Sequence, residues 1–122
     1  MTSAEKMRIA VEAALDVKAE DLLALDVSEL SSFADVFVIC TGRSDRQVRA
    51  IAEAIEQAAK RAGQPPLGVE GLQEGRWVLL DLDDVIVHVF DPEARAHYDI
   101  ERLWSDAPRL PTATATAEKA AP

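Results

Sequence analysis

The sequence predicts an α/β fold: a single domain in which a mixed β-sheet is packed with helices. Three observations carry this reading. Apolar residues recur at helical spacing near residues 4–18 and 44–62. Between and after these stretches lie short runs rich in β-branched and apolar residues, at 36–40, 77–81 and 84–90. The whole chain has 122 residues, 48% of them hydrophobic, with a single cysteine, which suits one core of ordinary size without disulfide support.

The first helix is expected from Ala4 to Lys18, because Met7, Ala10, Val11 and Ala14 form a stripe while Glu5, Lys6, Glu12 and Asp16 occupy the other sides. Leu23, Leu25 and Val27 alternate with smaller or polar residues, as in a half-buried strand. Val36–Cys40 is apolar at successive positions, the pattern of a central strand covered on both faces. Ser44-Asp45-Arg46-Gln47 fits a capping box, and Val48, Ile51, Ala52, Ile55, Ala59 and Ala62 continue from it as one helix face until Gly63 and Pro65-Pro66. The short strand Leu67–Glu70 then completes a β-α-β unit.

Trp77–Asp81 and Asp84–Phe90 are expected to form a hairpin around Leu82-Asp83. That register sets Asp81 opposite Asp84, Leu79 opposite Ile86 and Trp77 opposite His88 on one face. Val78, Leu80, Val85, Val87 and Val89 fill the other face as pure core. The Trp77 face mixes aromatic, apolar and charged groups, a composition suited to a surface that a partner covers. Asp91-Pro92-Glu93 opens a last helical segment through Tyr98, resuming to Trp104, where Ile100, Leu103 and Trp104 share an apolar phase. Residues 1–108 are read as the domain and 109–122, with its Thr-Ala repeats and prolines, as a disordered tail.

Charge narrows the function. The net charge is −9, and residues 70–106 hold 10 acids against 3 bases. Nucleic-acid binding normally needs clustered cations, so RNA contact is auxiliary at most, and a basic protein partner fits better. Simple solubility of an acidic protein is the plainer explanation of the same charge. The N-terminus lacks an apolar signal core and no apolar run reaches the ~20 residues of a membrane span, while one cysteine, Cys40, fits a reducing compartment. A cytoplasmic protein without membrane attachment is expected.

Asp81-Leu82-Asp83 and the Thr41-Gly42-Arg43-Ser44 turn together suggest an alternative, a Mg-dependent nucleotidyltransferase. The turn explanation of Asp83 is preferred, since Asp serves hairpin turns for backbone reasons and no nearby cations are arranged for a triphosphate. His88 and His97 lie in no metal-ligand spacing, and Arg43, Arg46 and Arg49 read as a solvated helix face. No cofactor, metal or catalytic residue is expected.

Taken in order, Ala24–Val27, Asp35–Gly42, Leu67–Gly71, Trp77 with Leu80–Leu82, Asp84–Val89, Arg95–Tyr98, Glu101 and Leu103-Trp104 resemble the iojap-like ribosomal silencing factors over about residues 4–108. The family usually carries glycine where this chain has Asp83. The resemblance implies a nucleotidyltransferase-like fold without catalytic residues. It also implies binding to the large ribosomal subunit through ribosomal protein fourteen, with subunit joining blocked and translation repressed when nutrients are short, and a role in large-subunit biogenesis in some relatives. By resemblance the contact falls on Trp77, Leu79, Asp81, Asp84, His88, Tyr98 and Glu101. A homodimer is implied as one state of the free protein.

Overall fold

The computed structural model describes residues 1–112. Helix α1 (Ser3–Asp16) starts in a complete capping box: the Glu5 amide donates to Thr2 Oγ1, and the Thr2 amide donates to the Glu5 carboxylate and so lowers its pKa. Strands β1 (Glu20–Asp26) and β2 (Val36–Thr41) follow, then helix α2 (Asp45–Arg61), strands β3 (Gly68–Glu70), β4 (Trp77–Asp81) and β5 (Val85–Phe90), helices α3 (Pro92–Tyr98) and α4 (Ile100–Leu103), and strand β6 (Arg109–Leu110). The sheet order is β3-β4-β5-β2-β1-β6, with β2 and β5 parallel and every other pair antiparallel. The expected mixed α/β class is therefore found.

The sheet's two faces are covered unequally. Helices α1 and α2 lie on one side, where Ala10, Val11, Ala14, Val48, Ile51 and Ile55 pack on Val38, Cys40, Val78, Leu80, Val87 and Val89. This is the pure-core face the alternation predicts. The other side holds Leu25, Phe37, Ile39, Ile86 and Phe90 beneath the short α3 and α4, with Trp77, Leu79 and Trp104 packed at its margin. A long helix can shield a strip of sheet along its whole length, whereas seven- and four-residue helices leave part of the face open.

Several expectations need correction. Lys6 is not on a solvated side of α1: it is only 9% exposed, and its Nζ donates to Asp84 Oδ1 at 2.8 Å and to the Leu82 carbonyl at 3.2 Å. The hairpin turn is Asp83-Asp84 rather than Leu82-Asp83, because Leu82 extends the buried alternation of Val78 and Leu80 and pairs with Val85 through its amide. The register is accordingly Trp77 to Phe90, Leu79 to His88 and Asp81 to Ile86. A slip of two residues preserves which face each side chain occupies, so the predicted faces survive the wrong pairing. Asp83 takes φ 76, a conformation that favours glycine.

Two further differences concern long-range pairing. Strand β3 does not sit beside β2: the parallel neighbour of β2 is β5, and β3 pairs only with β4 at the far edge. Arg109 and Leu110, assigned to the tail, pair with Leu25 and Ala24 as β6, so order extends past residue 108. The expected tail from 113 onward lies outside the described residues. The Ser44 cap is present, but Gln47 reaches the Arg43 amide, and its own amide donates to the Val17 and Lys18 carbonyls, tying α2 to the end of α1.

Candidate functional site: an aromatic sheet face

Alternation along β4 and β5 brings Trp77, Leu79, Asp81, Ile86, His88 and Phe90 to the less covered face. The parallel pairing of β2 with β5 adds Phe37 beside Ile86 and His88. Trp77 stacks on Phe90 with ring centroids 5.1 Å apart and touches Tyr98 of α3 at 4.6 Å. Phe37 meets His88 edge-on at 5.1 Å and Trp104 at 4.9 Å, and Phe33 extends the row at 6.4 Å. The result is a continuous band of rings. Tyr98 is 49% exposed and Trp77 half-buried, so the band opens to solvent at that end.

His88 is 6% exposed and is held by a single polar bond, from Trp77 Nε1 to its Nδ1 at 3.2 Å. An indole nitrogen can only donate, so Nδ1 accepts and the neutral ring carries its proton on Nε2, which is buried without a hydrogen-bond partner. Burial pushes the His88 pKa down to about 4. The imidazole is thus a neutral strut that orients Trp77. Gly71 makes the same placement feasible from the other side: at φ +82 it lies so close to Trp77 that a Cβ would fall 2.1 Å from the Trp77 carbonyl oxygen.

Beside the rings is a groove of about 360 Å³ lined by Glu74, Arg76, Trp77, Glu93, Ala94, His97 and Tyr98. Arg76 is engaged by Glu93 at 3.3 Å and Asp91 at 3.6 Å, and Asp91 also caps α3 by accepting the Ala94 amide. Aromatic floor and carboxylate rim are the ingredients that hold a lysine or arginine side chain.

Of the seven expected contact residues, Trp77, Leu79, Asp81, His88 and Tyr98 share this face or its rim. Asp81 does so as a turn residue, its Oδ1 accepting the Asp83 amide at 2.8 Å. Asp84 does not: its carboxylate is drawn to Lys6 of α1, off the Trp77 face. Glu101 is half-buried and bound by Arg95, not presented as a free charge. Leu103, expected in the apolar phase of the last helix, is 76% exposed, because Asp99 at φ 42 breaks α3 from α4 and resets the phase. Phe33, Phe37 and Arg95 also belong to this region, although nothing local in the sequence marks them as residues of the face. Phe37 looked like any core residue of β2, and only the β2–β5 pairing reveals its neighbours.

The alternative chemistry finds no support in these positions. Asp81 is committed to the turn, Asp83 is at its exposed corner, and no three His, Cys, Asp or Glu residues gather as metal ligands among the described residues. Cys40 is fully buried, and desolvation pushes its thiol up to about 12, so it is no nucleophile. Among the described residues no helix is long and apolar enough to cross a membrane.

A family profile described as "Ribosomal silencing factor during starvation" matches residues 1–122. The chain is 50% identical to the ribosomal silencing factor RsfS of Bacillus subtilis over 102 residues, covering 84% of this chain and 86% of that one. It is 45% identical to RsfS of Halalkalibacterium halodurans over 110 residues, covering 90% and 94%. A crystal structure of a Chromobacterium violaceum protein superposes with a TM-score of 0.85 at 43% identity, over 86% of this chain and 88% of that one. The relatives are named for silencing and not for catalysis.

Proposed function

Because the chain belongs to the ribosomal silencing factor (RsfS) family, we propose that it silences by docking its aromatic sheet face onto a basic protein surface of the large ribosomal subunit, that of ribosomal protein fourteen. The single observation carrying this reading is the half-open Trp77–Tyr98 pair beside the Glu74 and Glu93 carboxylates, an apolar anchor with an acidic rim. Trp77 enters the contact already oriented by His88 and Phe90, so little side-chain freedom remains to be lost on binding. The acidic second half of the chain steers it toward a cationic partner.

Silencing then needs no chemistry. A rigid domain of this size seated where the small subunit must dock excludes it sterically, and release restores joining. The same seat would serve a protein acting late in large-subunit assembly.

Co-sedimentation tests both halves of the reading. The protein should pellet with isolated large subunits and prevent small subunits from joining them. Trp77→Ala should weaken binding by about 30-fold or more, the effect of losing an interfacial Trp worth about 2 kcal/mol. Tyr98→Ala, at an exposed position, should weaken it without touching the core. Wild-type binding by both folded variants would show that the partner sits elsewhere.

A further inference from the structure

The face described above is completed by α3 and α4, which supply Tyr98 and Trp104, yet this clip is weakly rooted. Its two helices bury only Ala94 and Ile100, and they meet at Asp99, a non-glycine residue at φ 42 and ψ 50 that makes no side-chain cap bond to α4. One side chain does most of the fastening. Arg95 of α3 is only 12% exposed, and four of its N–H groups are engaged. Nη2 donates to Glu101 Oε2 at 2.9 Å, and Nε is shared between the two oxygens of that carboxylate at 3.3 Å each. Nη1 donates to the Asp21 carbonyl at 2.7 Å and to Thr41 Oγ1 at 2.8 Å.

The three partners belong to three different elements besides α3 itself. Glu101 is on α4, Thr41 ends β2, and Asp21 sits at φ 46 where the register of β1 against β2 slips between Glu20 and Leu23. The irregularity in β1 therefore leaves a carbonyl free for the guanidinium. A planar fork satisfies a carboxylate on one edge and two oxygens on the other, which a lysine cannot do.

We propose that Arg95 is a positioning residue for the docking face, holding α3 and α4 so that Tyr98 meets Trp77 and Trp104 meets Phe37 before any partner arrives. This rests on the reading of the Trp77 face as the docking surface. Arg95 itself touches no partner: it acts by removing the disorder that binding would otherwise have to remove. Glu101 acts with it, through Arg95 and not as a rim charge for the partner.

The two tryptophans report on the clip from both ends, since Trp77 contacts Tyr98 and Trp104 belongs to the clip's far end. The full-length protein labelled with 5-fluorotryptophan is compared as wild type, Arg95→Lys and Glu101→Gln. Both substitutions should shift or broaden both fluorine resonances in the free protein while the amide spectrum stays folded. Both should weaken binding to large subunits by about tenfold, measured well below the melting temperature. The salt dependence of binding should be unchanged in Glu101→Gln, whereas loss of a direct rim charge would reduce it.

Unshifted fluorine signals with wild-type affinity would overturn the positioning role, and so would a reduced salt dependence in Glu101→Gln. If Arg95→Lys fails to fold, Glu101→Gln decides by the same criteria. If Trp77→Ala and Tyr98→Ala bind normally, the docking surface is wrong, and the fluorine signals of the free protein still decide whether Arg95 holds the clip.

Discussion

Lowering the pH from about 7 to about 4.5 should remove about 2–3 kcal/mol of stability through His88 alone. In the folded chain the ring is enclosed by Phe37, Trp77 and Phe90, and burial pushes its pKa down to about 4 from 6.5. Protonating Nδ1 would also set two donors against each other, since Trp77 already donates there. The folded pKa lies below the unfolded one, so between the two values the unfolded chain binds the extra proton. The stability tied to neutral His88 is therefore fully present above the unfolded pKa and is lost as pH falls toward 4.

Carboxylates add their own acid dependence, Asp26 among them, its pKa lowered by the Ser28 hydroxyl and amide. The quantity to measure is thus a difference. Urea unfolding of wild type and His88→Gln would be followed across this range, because a glutamine amide can accept the indole N–H but does not titrate. The variant's stability should fall less on acidification, by about 2–3 kcal/mol. Parallel curves would refute the account of a neutral, desolvated His88.

Three further outcomes follow from other positions. Asp84→Ala should cost about 2–3 kcal/mol in urea unfolding, because it strands the buried Lys6 ammonium, whereas Lys6→Met should cost nearer 1 kcal/mol, since water can reach the Asp84 carboxylate; the reverse order would contradict the burial described. Asp83→Gly should raise stability by about 0.5–1 kcal/mol, seen as a higher melting temperature, by relieving a side chain held at φ 76. Gly71→Ala should cost about 3 kcal/mol or more and change Trp77 fluorescence, as its Cβ would collide with the Trp77 carbonyl; an unperturbed spectrum would count against that close approach.

How far these features were legible differs from one to the next. The Ser44 and Asp91 caps, the buried face of α2 and the apolar β2 depend on side chains acting within a few residues of themselves, so spacing revealed them. The Trp77 face was also legible although the hairpin register was not. Side chains alternate with a period of two, and the error was two residues, so Trp77, Leu79 and His88 kept their face while every cross-strand partner changed. The family is legible in motifs spread along the chain, and the family profile matches over residues 1–122.

Tertiary structure decided the rest, because those outcomes depend on groups far apart in sequence. Lys6 and Asp84 are separated by 78 positions, and nothing local marks a lysine on a helix as buried. Arg95 and Thr41 are 54 apart, and the place of Phe37 in the aromatic band required β2 to choose β5 as its parallel neighbour. Local periodicity specifies which side of an element is apolar. Which element it meets, and therefore which charges are consumed internally and which remain for a partner, is settled only when the sheet order closes.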